Sequence, residues 1–179
     1  MIILGIDPGY SNLGVAVVDL GGPTPQVLWS DCIHVGAHSS RPEGWAARLI
    51  PKLDDLAERF APQVVATETP PFITPTRKMS MEAVGRLVKT SALLSRVSGM
   101  IQGWAHSRGL DYGEIAPVAL KRHVAKRLGI RWNRKFMPKK SEVGLCVKEV
   151  FGASPKTDHE QDAVMIAHLY HSRLASEAA

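Results

Sequence analysis

Cysteines are scarce in this sequence, and long apolar runs are absent. The 179 residues include two cysteines, Cys32 and Cys146, and neither stands at the spacing of a zinc site or of a disulfide framework. No apolar stretch approaches the ~18–20 residues of a membrane-spanning helix. The apolar run at residues 1–6 has no basic lead and is cut short by Asp7, so we expect no signal peptide. These features favour a soluble protein of a reducing compartment, without a membrane partner.

One segment of the chain lacks acidic residues. Residues 121–140 contain nine Lys and Arg but no Asp or Glu. Outside this segment, 13 of the 22 basic residues and all 17 acidic residues remain. The rest of the chain therefore has a net charge of −4, although the whole chain has +5. A basic segment on an acidic body favours a local site for a polyanion such as DNA. The alternative is a charge run that only forms a solvated face.

The order of the predicted elements indicates the fold. Apolar runs and turn residues predict strands over residues 2–6, 13–20, 27–35, 63–67 and 111–116. Helical spacing predicts helices over residues 45–60, 79–106, 117–128, 141–151 and 158–174. Three antiparallel strands followed by crossover strands give an α/β fold, a mixed five-stranded sheet flanked by helices on both faces, in the order of a ribonuclease-H-like fold. The length predicts one domain, residues 1–179, with 121–140 as its basic DNA-binding segment.

Two acidic residues stand at the ends of predicted strands. Asp7 follows the first apolar strand, and Glu68 follows the fourth. A charge directly after a buried strand is costly unless it meets a partner or a metal ion. The alternatives are that Asp7 only caps a turn and that Glu68 is a solvated strand end.

A third acidic group opens the last predicted helix. Asp158 and His159 are followed by Asp162, at spacings of four and three, so either pair lies on one helix face. Acidic residues in a first turn also stabilise a helix through its macrodipole, which accounts well for Asp158 and Glu160. It accounts less well for Asp162, which lies one turn further along.

Together these groups predict a divalent-cation site. Carboxylates from two strand ends and one helix start can converge in a mixed sheet, where they repel one another unless a cation holds them. Oxygen ligands suit Mg²⁺ or Mn²⁺, and a histidine in the set favours Mn²⁺ somewhat. Two such ions ~3.5–4 Å apart are the arrangement that promotes phosphodiester hydrolysis.

Three stretches resemble one known family. Ile3-Leu4-Gly5-Ile6-Asp7-Pro8-Gly9, Thr67-Glu68 and the run from His159 to His168 are similar to the motifs of the RuvC family of Holliday-junction resolvases. The resemblance implies a ribonuclease-H-like fold, a homodimer without a small-molecule cofactor, and Mg²⁺-dependent paired nicking of four-way DNA junctions in recombination and repair. It also implies the cytoplasm of a bacterium or of a phage-infected host.

The resemblance extends to single residues. The family's catalytic and metal-binding tetrad is matched by Asp7, Glu68, His159 and Asp162, with Asp158 as the alternative to His159, and two Mg²⁺ ions are implied. The family's basic DNA-binding residues are matched by Lys121 and Lys140. The aromatic residue that follows the second acid is matched approximately by Phe72.

Further DNA contacts are expected beside these positions. The chain is longer than the family pattern between Lys121 and Lys140, and the extra residues include Arg131, Trp132 and Arg134. Trp132 could stack on an unpaired base, or it could pack locally. Phosphate contacts are also expected from the two cations after the proline-rich loop, Arg77 and Lys78.

Other functions stay open at this point. A nuclease of the same fold could act on flaps, other branched DNA or RNA, and a degenerate member could bind junctions without cutting them. A sugar-kinase-like ATPase shares the Gly-x-Asp-x-Gly pattern, but the chain is too short for its second lobe.

Overall fold

The computed structural model of the chain describes residues 1–9, 11–34, 42–70, 79–131 and 137–177. Its strands are β1 Ile2–Asp7, β2 Asn12–Asp19, β3 Gln26–His34, β4 Val64–Glu68 and β5 Asp111–Ile115. Its helices are α1 Pro42–Phe60, α2 Met81–Ser107, α3 Pro117–Arg127, α4 Lys140–Phe151 and α5 Asp158–Glu177. Every predicted strand and helix is present, with bounds that differ by a few residues.

The five strands form one mixed sheet in the order β3-β2-β1-β4-β5. The first three strands are antiparallel, whereas β4 and β5 run parallel to β1. Short turns join the antiparallel strands, and the helices α1 and α2 provide the crossovers that parallel pairing requires. The predicted mixed five-stranded sheet is therefore confirmed.

Helices cover both faces of the sheet, as predicted. Leu4 and Ile6 face α1 and α2 in one apolar cluster, whereas Ile3 faces α3, α4 and α5 in the other. The central strand β1 is thus buried on both sides, which explains why its sequence is an unbroken apolar run rather than an alternating one.

The predictions about cysteines and membrane segments can be compared with this fold. Cys32 and Cys146 are both free thiols. Among the described residues, no helix combines the length and the apolar character needed to cross a bilayer.

Candidate active site at the edge of the sheet

The topology places the two strand-end acids side by side. β1 ends at Asp7 and its parallel neighbour β4 ends at Glu68, with Ile6 opposite Thr67 in the register. Parallel neighbours deliver their carboxyl ends to the same edge of a sheet, where α/β proteins commonly bind ligands. Asp7 and Glu68 therefore leave the sheet at adjacent positions.

Helix α5 brings the third group to this edge because glycines allow it to lie directly on the strands. A Cβ atom on Gly14 of β2 would lie 1.8 Å from the carbonyl oxygen of His159. A Cβ atom on Gly5 of β1 would lie 2.1 Å from the carbonyl oxygen of Ala163. The first turns of α5 thus rest on strand backbone, and any side chain at these two positions would displace them.

His159 contacts Asp7 directly. Its Nδ1 lies 2.7 Å from Oδ2 of Asp7, whose side chain is 13% exposed. A carboxylate only accepts hydrogen bonds, so the proton of this bond is on Nδ1 of the ring. This hydrogen bond raises the pKa of His159, against the opposing effect of burial.

The pKa values of the other two carboxyl groups, those of Glu68 and Asp162, are raised, whereas an ion pair with a cation would lower them. Burial, followed by the charges of Asp7 and Asp162, raises the pKa of Glu68 to about 7. Burial, followed by the charge of Asp7, raises the pKa of Asp162 to about 6. Three carboxyl groups therefore share one partly buried site, and ionising all of them is costly. Such clusters are characteristic of functional sites.

The donor set suits a hard divalent cation in its chemistry. Three carboxylates and one imidazole are ligands that Mg²⁺ and Mn²⁺ accept, and a cation would remove the repulsion that raises the two pKa values. Among the described residues, however, no three His, Cys, Asp or Glu side chains are already arranged to hold a metal ion. One oxygen of Asp7 is engaged by His159. Metal binding would thus require these side chains to reorient.

Asp158, the alternative to His159, points to a different partner. Its Oδ2 lies 3.1 Å from Nζ of Lys140, the first residue of α4. This hydrogen bond and the charge of Asp158 raise the pKa of Lys140. The structure therefore brings His159 to Asp7, and uses Asp158 to join the starts of α4 and α5.

The predicted DNA-binding residues divide into two groups. Lys121 lies close enough to Glu68 for its charge to oppose the rise of that pKa, and Lys140 acts in the same way on Asp162. Arg131 is exposed at the start of the segment that precedes α4. Five other candidates lie outside the described residues: Phe72, Arg77, Lys78, Trp132 and Arg134.

Glu160 has a role that the sequence interpretation missed. It is 4% exposed, and it accepts hydrogen bonds from the hydroxyls of Ser30 at 2.7 Å and Thr157 at 3.0 Å. Thr157 in turn accepts the backbone N–H of Glu160 and so caps α5. Glu160 is therefore a buried link between β3 and α5, and not merely a first-turn acid. The Thr-x-x-Glu spacing of a capping box was the available signal for the local half of this link.

The comparisons with known proteins agree with this fold. The model of one protein family, crossover junction endodeoxyribonuclease RuvC, matches residues 3–171 of this chain. The curated protein of that name from Moorella thermoacetica is 27% identical over 169 residues, covering 93% of this chain and 89% of the relative. The one from Chlorobaculum parvum is 28% identical over 178 residues, covering 98% and 84%.

A solved structure supports the same assignment at the level of the fold. Thermus thermophilus RuvC, in complex with a Holliday junction substrate, matches with a TM-score of 0.72 and 22% identity, over 99% of this chain and 96% of that one. The match confirms the predicted ribonuclease-H-like fold. With a family match that spans almost the whole sequence, the chain belongs to the RuvC family of crossover junction endodeoxyribonucleases.

Proposed function

We propose that the protein is a structure-selective endonuclease that resolves four-way DNA junctions by metal-dependent, paired phosphodiester hydrolysis. The main support is the convergence of Asp7, Glu68 and Asp162 at one sheet edge, in a chain of the RuvC family. The T. thermophilus relative bound to a Holliday junction supports the choice of substrate.

The acids and the histidine would hold the metal. Asp7, Glu68, Asp162 and His159 are the residues we assign to two Mg²⁺ ions, with Mn²⁺ as a possible replacement. The ions would supply positive charge that activates the attacking water and stabilises the leaving 3′ oxygen. Asp7 orients the imidazole of His159 by accepting its Nδ1–H, which leaves Nε2 of the neutral ring as the atom with a free lone pair.

Two lysines flank the acids and would bind the DNA backbone. Lys121 and Lys140 approach the site from α3 and α4, each near a different carboxyl group. Their charges would attract phosphates beside the scissile bond and fix the position of the strand. Arg131 and the candidates outside the described residues would extend this contact: Arg77, Lys78, Phe72, Trp132 and Arg134.

Paired cutting requires two active sites, and hence a homodimer of the single nuclease domain. A symmetric junction matches a two-fold symmetric dimer. Helix α2 exposes apolar side chains that a second copy could cover, including Met81 at 86% and Val88 at 54% exposure. Sedimentation analysis should show a dimer, and polar substitution of Val88 should weaken it.

Cleavage of labelled substrates tests the function. A synthetic four-way junction with Mg²⁺ should give paired symmetric nicks, whereas a flap, a fork and an RNA–DNA hybrid should be cut poorly. Asp7→Asn should lose cleavage by at least about a thousandfold, because it removes a charge from the metal site, yet keep junction binding.

Asp19→Asn is the matched control for this test. Asp19 also ends a strand, but β2 is antiparallel to β1, so it lies at the opposite edge of the sheet beside the N-terminus. It should cut normally. Preferred cutting of flaps or RNA, or full cutting by Asp7→Asn, would contradict the proposal.

A further inference from the structure

A second basic cluster lies away from the acids, between α3 and α5. It surrounds a pocket of about 450 Å³ whose lining includes Lys126, Arg127 and Arg173. Arg173 is eleven residues beyond Asp162 on the same helix, which places it ~16 Å further along the axis. This pocket is therefore separate from the proposed active site.

The three cations have no acidic partner in the part of the chain that the structure describes. The ion pairs there join other residues, and none involves Lys126, Arg127 or Arg173. Cations at the end of α3 do offset its macrodipole, which accounts for Lys126 and Arg127 on their own. It does not account for Arg173, which comes from a different helix and faces the same pocket.

A pair of hydrogen-bonded histidines lies beside Arg127. Nη2 of Arg127 lies 3.4 Å from Nε2 of His168, and Nδ1 of His168 lies 2.9 Å from Nε2 of His123. Arginine can only donate, so Nε2 of His168 is the acceptor and its proton is on Nδ1. That proton is donated to Nε2 of His123. Because Nε2 of His123 is the acceptor, the single N–H of this neutral ring is at Nδ1. The ring of His123 lines the pocket.

The two rings are neutral at pH 7. Burial, followed by the charges of neighbouring basic groups, lowers the pKa of each ring to about 4. A neutral histidine can stay among three cations without adding to their repulsion, and it still offers an N–H donor. The hydroxyls of Ser172 and Ser176 donate to backbone carbonyls of their own helix, so they add little to the donor set.

We propose that this pocket binds a phosphate group, held by Lys126, Arg127 and Arg173 with the N–H of His123 as a fourth donor. Charge-assisted hydrogen bonds from several directions are what recognises a phosphate. Such a group could come from the backbone of bound DNA or from a free phosphate compound. The proposal does not depend on the nuclease function, because either source would occupy the same donors.

Titration with inorganic phosphate and pyrophosphate tests the chemistry. The histidine ring NMR signals of the full chain should shift for His123 and His168 on addition of either anion, with saturation. Lys126→Gln and Arg173→Gln should each weaken this binding roughly tenfold, as expected for one charge-assisted hydrogen bond. Lys148→Gln removes one charge from an exposed position of α4 outside the pocket, and it should bind like the original chain.

A second experiment separates the two sources. If DNA occupies the pocket, saturating four-way junction should abolish the pyrophosphate-induced shift. Arg173→Gln should then reduce the slope of log affinity for DNA against log salt by about 0.9. If a free compound is the ligand, pyrophosphate should still bind to the DNA complex and the slope should not change.

Either result supports a phosphate site. The proposal is overturned if neither anion shifts the two rings and the salt slope of Arg173→Gln equals that of Lys148→Gln. Equal weakening of anion binding by Lys148→Gln would also overturn it, because the attraction would then be general. Circular dichroism of each variant should show that the fold is retained.

Discussion

At the scale of single residues, the ionised carboxylate of Glu68 destabilises the metal-free fold at a position that we propose binds metal. Its carboxyl group is kept beside two other acids in a partly buried position, and its pKa is raised to about 7. Ionisation of Glu68 therefore destabilises the folded protein, whereas ionisation of an isolated, solvent-exposed carboxyl group would not. We interpret this cost as the consequence of a site built for a cation, in which the acids stabilise their ligand more than the fold.

Glu68→Gln should stabilise the metal-free protein above pH 7. The unfolded chain releases this proton near pH 4.5 and the folded chain near pH 7, so the folded state is progressively penalised between these values. The penalty is absent below pH 4.5 and complete above pH 7, where it reaches up to about 3 kcal/mol. Denaturant unfolding at pH 4 and pH 8 should show the variant equal to the original chain at the first and more stable at the second. A variant less stable at pH 8 would contradict this interpretation.

Divalent cations should stabilise the chain through the same carboxyl groups. At tenfold excess over the dissociation constant, Mg²⁺ or Mn²⁺ should add about 1.4 kcal/mol, or about 3–6 °C in the melting temperature. Thermal denaturation at pH 7.5 with and without the metal measures this effect without any substrate. The shift should vanish in Asp7→Asn and persist in Asp19→Asn. Equal shifts in both variants would place the metal elsewhere.

At the scale of elements, the close contact of α5 with β1 and β2 positions the site. Half of the candidate ligands stand in the first two turns of α5, and the other half end β1 and β4. Their distance is therefore set by how closely the helix approaches the sheet. The glycines at the contacts and the buried Glu160 hold that approach from two sides.

Gly14→Ala should impair cleavage more than it impairs folding. The added methyl group would overlap the backbone of His159, so the first turn of α5 must move away from Asp7. We expect at least a tenfold loss of kcat at a temperature well below the melting point, since displacements of about 1 Å carry losses of that order or more. Gly22→Ala is the control, because a Cβ atom there would meet only the carbonyl oxygen of Thr24, at an ordinary contact distance of 3.7 Å in the turn between β2 and β3. It should be fully active, and its stability should equal that of the original chain or exceed it by up to about 1 kcal/mol. Normal kcat in Gly14→Ala would show that the close approach is not required.

At the scale of the whole molecule, the topology could be predicted from the sequence more fully than the side-chain contacts could. The order of elements and the adjacency of Asp7 and Glu68 follow from periodicity and from the rule for parallel strands. The choice between Asp158 and His159 does not, because both stand in the first turn of α5 and only the way in which the helix packs on the sheet decides which side chain reaches Asp7. The division of residues 121–140 between the two proposed sites is equally hidden, because Lys121 and Lys126 differ by about 140° around α3.

Acid should destabilise the fold through the histidine pair of the basic pocket. The pKa of His123 and His168 is about 4 in the folded chain, below the ordinary 6.5, so the unfolded chain takes up protons first. Above pH 6.5 both rings are neutral in the folded and in the unfolded chain, so protonation costs no stability. As the pH falls from 6.5 towards 4, only the unfolded chain gains protons, and the free energy of unfolding decreases by about 1.4 kcal/mol for each unit of pKa difference. Glu68 and Asp162 act in the opposite direction over part of this range. The test is therefore the difference in unfolding free energy between the original chain and His168→Gln, which should narrow as the pH falls. A constant difference would be the contrary result.

The hydrogen bond between His159 and Asp7 joins residues that are 152 positions apart. Contacts of such long range form late, because a large loop must close before they repay its entropy. Helix α5 packs on β1, β2 and β4, so a growing chain whose α5 has not yet left the ribosome lacks the helix that contacts these strands on one face of the sheet. It also lacks half of the candidate ligands. Cutting would then begin only after α5 has been synthesised and has packed on the sheet. A partly made nuclease would be harmless to the DNA around it.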